Sequence, residues 1–312
     1  MRAIKFGAYG GVENLNIASD AQDPDIRDDQ LLIEVKAVSI NPIDYKVREG
    51  YLQQKAPLQL PIIIGGDFSG IVKRVGHAVT GFVVGEQVYG QASVLLGGSG
   101  SFAELVAASA ATTARKPQMA DYIQSAALPL AGVSALQALE DHMSLKKSQK
   151  ILIHGGAGGI GSIAIQIAKS IGAFVATTVS EKDRDFARVL GANVVLDYQK
   201  QKFEDELRDY DAVFDTVGGE ITLRSMKVLR DSGVIVSMAG QPDTSLVKEK
   251  NITAIGQWTT VDTDHLNRLQ EYVDSGRVKV HVDRVFPLDD TRAAFNFAEH
   301  NHPRGKVVVR IA

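Results

Sequence analysis

Residues 151–183 of the chain have the sequence ILIHGGAGGIGSIAIQIAKSIGAFVATTVSEKD. An apolar run is followed by a glycine-rich turn, a segment with apolar residues at helical spacing, and a second apolar run. This order predicts a buried strand, a tight turn, a helix and a second, parallel strand, which together make a βαβ unit. Because the unit begins only halfway along the chain, we expect the residues before it to form a different domain.

The glycine-rich turn has the context of a dinucleotide-binding motif. Gly156 can make the tight turn, Gly158 or Gly159 can let a pyrophosphate approach the backbone, and Gly161 can let the helix pack close to the strand. The N–H groups at the start of the helix then face the phosphates. The alternative is that the glycines only make a strand-to-helix corner. The predicted backbone contacts are Gly156, Ala157, Gly158, Gly159 and Ile160.

The end of the second strand decides between the two nicotinamide coenzymes. NAD-binding proteins usually place Asp or Glu there, and that charge would repel the 2′-phosphate of NADP. The strand FVATTV ends instead in hydroxyl-bearing residues and a lysine comes after it, so Thr178, Ser180 and Lys182 predict NADP. NAD stays the alternative, because a rotated turn would present the carboxylate of Glu181.

The first part of the chain has the pattern of a β-rich domain. Residues 31–38 (LLIEVKAV), 68–75 (FSGIVKRV) and 86–89 indicate short strands separated by Gly and Pro turns. The segment DYIQSAALPLAGVSALQALEDH then predicts two helices with a break at Pro129 and Gly132. It leads into the second domain.

After Lys150, strand and helix patterns alternate, which predicts a doubly wound parallel sheet and an α/β fold class. The tail, from about residue 260, is mixed again. The predicted helices after the first βαβ unit include EKDRDFARVLG, KFEDELRD, GEITLRSMKVLRD, DHLNRLQEYVDSG and TRAAFNFAEHNH, and the predicted strands include NVVLDY, YDAVFDTV, GVIVSMAG, VKVHVDRVF and GKVVVRI.

The composition excludes several classes of function. The chain has 312 residues, 45% hydrophobic and 23% charged, which is enough to bury the cores of two domains. Its net charge of −3 provides no basic field for nucleic acid or for an anionic membrane surface. No apolar run approaches the roughly 20 residues of a membrane-spanning helix, and MRAIKFGAYGG lacks the apolar block of a signal peptide, so we expect a cytoplasmic protein. The absence of cysteine removes cysteine-ligated zinc sites.

Nearly the whole chain resembles the zinc-independent members of the medium-chain dehydrogenase/reductase superfamily, of the quinone oxidoreductase type. The resemblance implies a GroES-like β-rich domain over residues 1–122, a Rossmann coenzyme-binding domain with a doubly wound parallel sheet over 123–259, and a return to the first domain over 260–312. The stretches that carry it, in family order, are VSINPIDYKVREGYL, LPIIIGGDFSGIVKRVG, VGEQVYG, GSFAELV, AALPLAGVSALQAL, ILIHGGAGGIGSIAIQIAKSIGA, LGANVVLDY, VFDTVGG and GKVVVRI.

The resemblance also implies the chemistry. Alcohol dehydrogenases of the superfamily hold a catalytic zinc through cysteine and histidine, where this chain has Asn41 or its neighbours and Gly66, so we expect no metal. Without a Lewis acid, the acceptor must delocalise the arriving charge, as a quinone or an α,β-unsaturated carbonyl does. The expected function is therefore NADPH-dependent reduction of such acceptors. The alternatives are an enoyl-thioester reductase and a non-enzymic NADPH-binding sensor or structural protein.

Several site residues are implied by the resemblance. Asn41 and the loop INPIDYK are expected to line the nicotinamide end, and Tyr45 and Tyr51 either donate a hydrogen bond to the substrate oxygen or only pack the wall of the cleft. The segment NITAIGQW is expected to be an edge strand that pairs with its copy in a homodimer. The remaining coenzyme candidates are Ser134 near the nicotinamide, Lys182 and Tyr198 at the 2′-phosphate, Val217 and Ala239 at strand ends, and Arg304 at a phosphate.

Overall fold

The computed structural model describes residues 1–243, 245 and 250–312. The chain divides into two compact units. The first, here called the β unit, comprises Met1–Leu130, Val261–Asp274 and Val280–Ala312, and the second, the coenzyme unit, comprises Ala131–Thr260 and Ser275–Lys279. That the two fold as domains with limits at residues 122 and 259 stays a prediction.

The strands and helices of the described residues are numbered here in chain order. The strands are β1 (Ala3–Phe6), β2 (Leu15–Ala18), β3 (Gln30–Ser39), β4 (Ile62–Ile63), β5 (Asp67–Val75), β6 (Gln87–Gln91), β7 (Leu105–Ser109), β8 (Thr113–Arg115), β9 (Lys150–His154), β10 (Phe174–Val179), β11 (Val194–Asp197), β12 (Tyr210–Asp215), β13 (Leu229–Ser237), β14 (Thr253–Gly256), β15 (Val282–Pro287) and β16 (Lys306–Arg310). The α-helices are α1 (Pro42–Arg48), α2 (Tyr122–Ala126), α3 (Pro129–Leu136), α4 (Gly159–Ile171), α5 (Arg184–Leu190), α6 (Phe203–Glu206), α7 (Glu220–Ser225), α8 (Thr263–Asp274) and α9 (Thr291–His300).

The β unit is built around β3, which is antiparallel to β5, β7 and β16. Its larger sheet has the order β15-β16-β3-β5-β6-β8, and a smaller sheet has the order β2-β1-β4. Alternate residues of β3 point into the core, where Leu31, Ile33 and Val35 are fully buried. Because β16 is the last strand of the chain, the tail returns to the unit in which the chain began.

The coenzyme unit contains one parallel sheet of order β11-β10-β9-β12-β13-β14. Every strand pair in it is parallel, so the carboxyl ends of its strands lie at one edge. The chain runs outward from β9 in one direction to β11 and in the other to β14, and the strand order reverses between β9 and β12. Ligands of open α/β sheets bind at such a switch point, outside the carboxyl ends of the strands. The predicted α/β fold class is confirmed.

The helical segment before β9 differs from the prediction. The break does fall at Pro129, which is the first residue of α3, where its missing N–H costs nothing. Gly132 does not break the helix; it lies inside α3. The chain then continues as a π-helical turn over Gln137–His142. Among the described residues, no helix combines the length and apolar character needed to cross a bilayer.

Two predicted helices are shorter than their sequence patterns suggested. After α6, Leu207 is extended and Asp209 has a φ of 57°, which leads directly into β12. The side chain of Arg208 donates to the carbonyl oxygens of Glu204 and Leu207, so it holds the end of the helix. After α7, β13 begins at Leu229 rather than at Gly233, because the first residues of β13 extend the pairing with β12 past a bulge.

Candidate functional site

The glycine-rich turn connects the end of β9 to α4. Gly155 has a φ of 69°, and a Cβ on Gly161 would overlap the carbonyl oxygen of Gly155. Gly158 is different, because the atom nearest to its Cβ position is 3.4 Å away. It is the N-cap of α4, so the unpaired N–H groups of the first helical turn come directly after it. The turn therefore fits a dinucleotide. The helix packs closely on the turn at Gly161, and space for a pyrophosphate is left at Gly158.

The carboxyl edge of the parallel sheet brings further predicted coenzyme residues together with this turn. Tyr198 directly follows β11, and its N–H donates to the Val179 carbonyl oxygen at the end of β10 (3.2 Å). Val217 follows β12, and its N–H donates to Asp215 Oδ1 (2.9 Å). Ala239 follows β13, and its N–H donates to Ser237 Oγ (3.1 Å). The N–H groups of Val217 and Ala239 are thus engaged, so these two residues have only their side chains and carbonyl oxygens to offer a coenzyme.

Ser134 lies inside α3 and is fully buried. Its hydroxyl is 2.7 Å from the Thr259 hydroxyl, and its carbonyl oxygen accepts a hydrogen bond from Gln257 Nε2 (3.0 Å). Both partners lie just beyond the carboxyl end of β14. Ser134 therefore anchors α3 to the segment after β14, and contact of its hydroxyl with the nicotinamide stays a prediction.

Thr178 is tied to a buried histidine at the end of β9. His154 Nε2 lies 2.9 Å from Ser225 Oγ, whose one proton is donated to the Ile221 carbonyl oxygen (2.6 Å). Nε2 must therefore carry the histidine proton, and Nδ1 accepts from the Thr178 hydroxyl at 2.9 Å. Burial lowers the pKa of His154 to about 4, which keeps the ring neutral. The Thr178 hydroxyl proton is thus used within the unit, so its oxygen can only accept a further hydrogen bond.

The segment after β10, residues 180–184 (SEKDR), contains two basic and two acidic side chains beside the predicted hydroxyl. The Ser180 hydroxyl donates to Asp183 Oδ2 (2.6 Å), so it too is engaged within the unit. Lys182 is exposed. The Glu181 carboxylate, the feature that would favour NAD, lies 3.1 Å from Lys200 Nζ and 3.6 Å from Arg184 Nη1. The hydrogen bond from Lys200 lowers the pKa of Glu181, so the carboxylate stays ionised beside two cations.

Sequence reasoning missed Arg184 and Lys200. Arg184 was visible in SEKDR, only two residues after Lys182. Lys200 lies two residues after Tyr198, at the end of the neighbouring strand. Both cations lie beside the Glu181 carboxylate, and Tyr198 is 54% exposed.

In the β unit, Asn41 lies at the N-terminus of α1 and is buried. Its Nδ2 donates to Asp67 Oδ2 (2.8 Å), its Oδ1 accepts from Lys306 Nζ (2.5 Å), and its backbone N–H donates to Asp44 Oδ2 (2.7 Å). Burial raises the pKa of Asp44 to about 7 and also raises the pKa of Asp67. Asn41 is therefore held on three sides by ionisable groups.

The two predicted proton donors differ in environment. Tyr45 lies in α1 and packs partly against the core of the β unit, and burial raises the pKa of its phenol. Tyr51 lies beyond α1 and is 74% exposed.

Arg304, the predicted phosphate contact, precedes β16 and is half-buried. Within residues 1–243, 245 and 250–312, no group of three or more His, Cys, Asp or Glu side chains is arranged to hold a metal ion.

One unit of the chain is a parallel sheet with a glycine-rich turn at its switch point, and the other is a largely antiparallel β unit that contains the C-terminal strand. This combination is that of a nucleotide-dependent oxidoreductase. The profile described as "Alcohol dehydrogenase GroES-like domain" matches residues 27–118, and the one described as "Zinc-binding dehydrogenase" matches residues 190–309. The chain belongs to the medium-chain dehydrogenase/reductase superfamily, in its quinone oxidoreductase group.

Relatives and solved structures span the whole chain. An Arabidopsis thaliana protein named NADPH-dependent alkenal/one oxidoreductase, chloroplastic, is 36% identical over 99% of this chain and 79% of its own length. The 2-methylene-furan-3-one reductase of Solanum lycopersicum is 35% identical over the same shares. The quinone oxidoreductase structure from Coxiella burnetii has a TM-score of 0.92 and 34% identity, covering 100% of this chain and 99% of its own. The Escherichia coli quinone oxidoreductase complexed with NADPH has a TM-score of 0.89 and 26% identity, covering 100% of both chains.

The two kinds of glycine in the turn predict separable effects of alanine. Gly161→Ala should destabilise the protein without any ligand, because the new methyl group meets the Gly155 backbone; overpacking of this kind costs about 1 to 3 kcal/mol. Gly158→Ala should lower the thermal midpoint less, since alanine is only a poorer N-cap than glycine, and should weaken NADPH binding, because its methyl group occupies the space left for the pyrophosphate. Thermal unfolding and coenzyme titration of both variants are the measurements. Unchanged NADPH affinity in a stable Gly158→Ala variant would contradict the placement of the pyrophosphate.

Proposed function

We propose that this protein is an NADPH-dependent oxidoreductase that reduces quinones or α,β-unsaturated carbonyl compounds without a metal. The observation that carries the proposal is the glycine-rich turn at the switch point of the parallel sheet, with cationic side chains after β10. The names of the relatives support the acceptor class, because they include an alkenal/one oxidoreductase and quinone oxidoreductases.

The coenzyme unit offers a separate group of residues for each part of NADPH. The first turn of α4 would hold the pyrophosphate, and Lys182, Arg184 and Tyr198 would hold the 2′-phosphate. Thr178 can accept a hydrogen bond from a ribose hydroxyl but has no proton left to donate to a phosphate oxygen. Bound NADPH supplies the hydride. The chain itself binds, orients and shields the reactants.

The acceptor must be one that this chain can activate with hydrogen bonds alone. The chain contains no cysteine, so the usual thiolate ligands of a catalytic zinc are missing from the whole sequence. A conjugated acceptor spreads the arriving negative charge onto its oxygen, where a single hydrogen-bond donor stabilises it. The candidate donors are the hydroxyls of Tyr45 and Tyr51 and the second N–H of Asn41 Nδ2, since the first is given to Asp67.

We further propose that the protein forms a homodimer through β14. This strand lies at the edge of the parallel sheet, as expected from NITAIGQW, so one side of its backbone lacks a strand partner among the described strands. Exposed edges invite pairing with another chain, and a twofold axis would pair two copies of β14.

The cytoplasmic location also stays a proposal, since a chloroplast relative is 36% identical to this chain.

The coenzyme preference predicts a selective effect at Lys182. A charge-assisted bond to phosphate contributes about 1.5 to 3 kcal/mol, so Lys182→Ala should weaken NADPH binding about ten- to a hundredfold and leave NADH binding unchanged. Coenzyme fluorescence titration measures both constants. Lys169→Ala, which removes an exposed lysine at the end of α4, is the control. Equal weakening of both coenzymes would mean that Lys182 does not contact the 2′-phosphate.

The proposed chemistry predicts NADPH oxidation with a panel of quinones and enones, full activity after exhaustive chelation, and almost no oxidation of simple alcohols. Tyr45→Phe should lower kcat by roughly 10² to 10⁴, the range for positioned proton donors, with NADPH affinity preserved. Tyr51→Phe should have a smaller effect, because water can replace the hydroxyl of a side chain that is 74% exposed.

Three outcomes of the same assays would contradict parts of this proposal. Metal-dependent alcohol oxidation would contradict the mechanism. NADPH binding without turnover of any acceptor would favour the sensor alternative, and turnover of enoyl thioesters alone would favour the thioester reductase. Full turnover in both Phe variants would mean that solvent supplies the proton.

The dimer proposal predicts twice the monomer mass by light scattering at micromolar concentration. Neighbouring residues of a strand direct their N–H groups to opposite sides. Ala254 and Ile255 are neighbours in β14, so one of their N–H groups points outward and the other is bonded to β13. Ala254→Pro and Ile255→Pro therefore remove one N–H of each kind. The variant that loses the outward N–H should be a stable monomer, and the variant that loses the N–H bonded to β13 should be less stable. A monomeric wild type would contradict the proposal.

A further inference from the structure

Three ionisable side chains are buried together in the β unit: Asp44, Asp67 and Lys306. Burying charge is costly, and replacing a buried ion pair with apolar side chains is often neutral or stabilising. Stability is therefore a weak explanation for this cluster. The burial also lowers the pKa of Lys306 and raises that of Asp67, so each group depends on its partners to stay charged.

The cluster fixes one orientation of the Asn41 amide. Lys306 Nζ donates to Asn41 Oδ1 (2.5 Å), and Asn41 Nδ2 donates to Asp67 Oδ2 (2.8 Å). A flipped amide would place its NH₂ against the ammonium and its oxygen against the carboxylate, so the opposite charges permit only the observed orientation. An amide that accepts from a cation is polarised, which strengthens its N–H groups as donors.

Asp67 and Lys306 connect Asn41 to separate parts of the β unit. Asp67 is the first residue of β5, and it also accepts from Ser39 Oγ (3.2 Å), Gln91 Nε2 (3.3 Å) and the Leu130 N–H (3.2 Å). Its carboxylate is thus held by three further segments.

Lys306 is the first residue of β16, and its ammonium also donates to the Ile40 carbonyl oxygen (2.6 Å). The Ile40 N–H donates in turn to the Val307 carbonyl oxygen (3.0 Å), so β16 holds this residue on both sides. Ile40 and Asn41 directly precede α1, which contains Tyr45. The position of α1 therefore depends on the last strand of the chain.

We propose that Lys306 is a positioning residue for the reduction: through Asn41 Oδ1 and the Ile40 carbonyl oxygen, it holds the segment from Ile40 to Tyr45 in the conformation that meets the substrate oxygen. The role is exerted through Asn41 and α1, and no contact between Lys306 and the substrate is required. This inference rests on the proposed function, and it adds a residue that neither the glycine-rich turn nor the INPIDYK loop contains.

The first test is Lys306→Met, which removes the ammonium and keeps an unbranched side chain. A misplacement of about 1 Å can cost a hundredfold in rate, so kcat with a quinone should fall about 10- to 100-fold. NADPH affinity should stay within about twofold of the wild type, because Lys306 is not among the coenzyme residues. Lys73→Met, which removes an exposed lysine from β5, is the matched control and should change neither quantity.

A second variant separates positioning from charge balance. Lys306→Met leaves two buried carboxylates without their cation and can fail to fold, whereas Lys306→Met combined with Asp67→Asn removes one charge of each sign. The double variant should have a higher unfolding midpoint than Lys306→Met. Because Asp67 also binds Asn41, the reference for turnover is Asp67→Asn alone, and kcat of the double variant should lie below that reference, since Asn41 Oδ1 lacks its ammonium only in the double variant. Equal turnover of the double variant and Asp67→Asn, or full turnover in Lys306→Met, would overturn the proposal.

A readout without substrate distinguishes this inference from the proposed function. In isotope-labelled, coenzyme-free protein, the side-chain NH₂ resonances of Asn41 should exchange with solvent faster in the double variant than in Asp67→Asn alone, whereas Lys73→Met should match the wild type. If the wild type reduced no quinone or enone, the proposed function would fail, and the exchange would still test whether Lys306 holds Asn41. Equal exchange in the double variant and in Asp67→Asn would overturn the positioning role.

Discussion

The close approach of α4 to the turn after β9 is the contact on which the coenzyme unit depends. Because a Cβ on Gly161 would overlap the Gly155 carbonyl oxygen, the helix can approach the turn this closely only with glycine at position 161. Its N-terminus is thereby fixed at the centre of the parallel sheet, next to the point where the strand order reverses. The carboxyl ends of β10, β11, β12 and β13 lie at the same edge of the sheet as that N-terminus. The chemistry proposed for the protein depends on this one contact.

Much of the fold could be predicted because its elements are periodic over short stretches of sequence. The alternation of apolar runs and helical segments after Lys150 predicted the parallel sheet, and NITAIGQW was correctly placed at its edge. The ends of helices were harder, since they depend on how the next element of the chain packs. Gly132 is tolerated inside α3, and α7 ends early because β13 extends its pairing with β12.

The side-chain bonds of the sites could be predicted far less well. The sequence identified Thr178 and Ser180 by type, but their hydroxyl protons are used by His154 and Asp183, and neither pattern nor spacing reveals such partners. The Lys306 bond to Asn41 joins residues 265 positions apart. The bonds of Asp44 and Asp67 to Asn41 are likewise visible only in the fold. Short-range motifs thus located the coenzyme turn, and long-range packing determined which donors and acceptors remain available.

The pairing of Glu181 with Lys200 and Arg184 makes coenzyme choice a question of local charge balance. Glu181 lies two residues beyond the end of β10, the strand end at which NAD-binding proteins commonly have an acidic residue, and two neighbouring cations offset its charge. Because Glu181 and Lys200 are exposed, their mutual attraction weakens as ionic strength rises. Loss of Lys200 would leave Arg184, at 3.6 Å, as the neighbouring cation of Glu181. The charge after β10 can therefore change in evolution by the removal of cations, without the introduction of an acid.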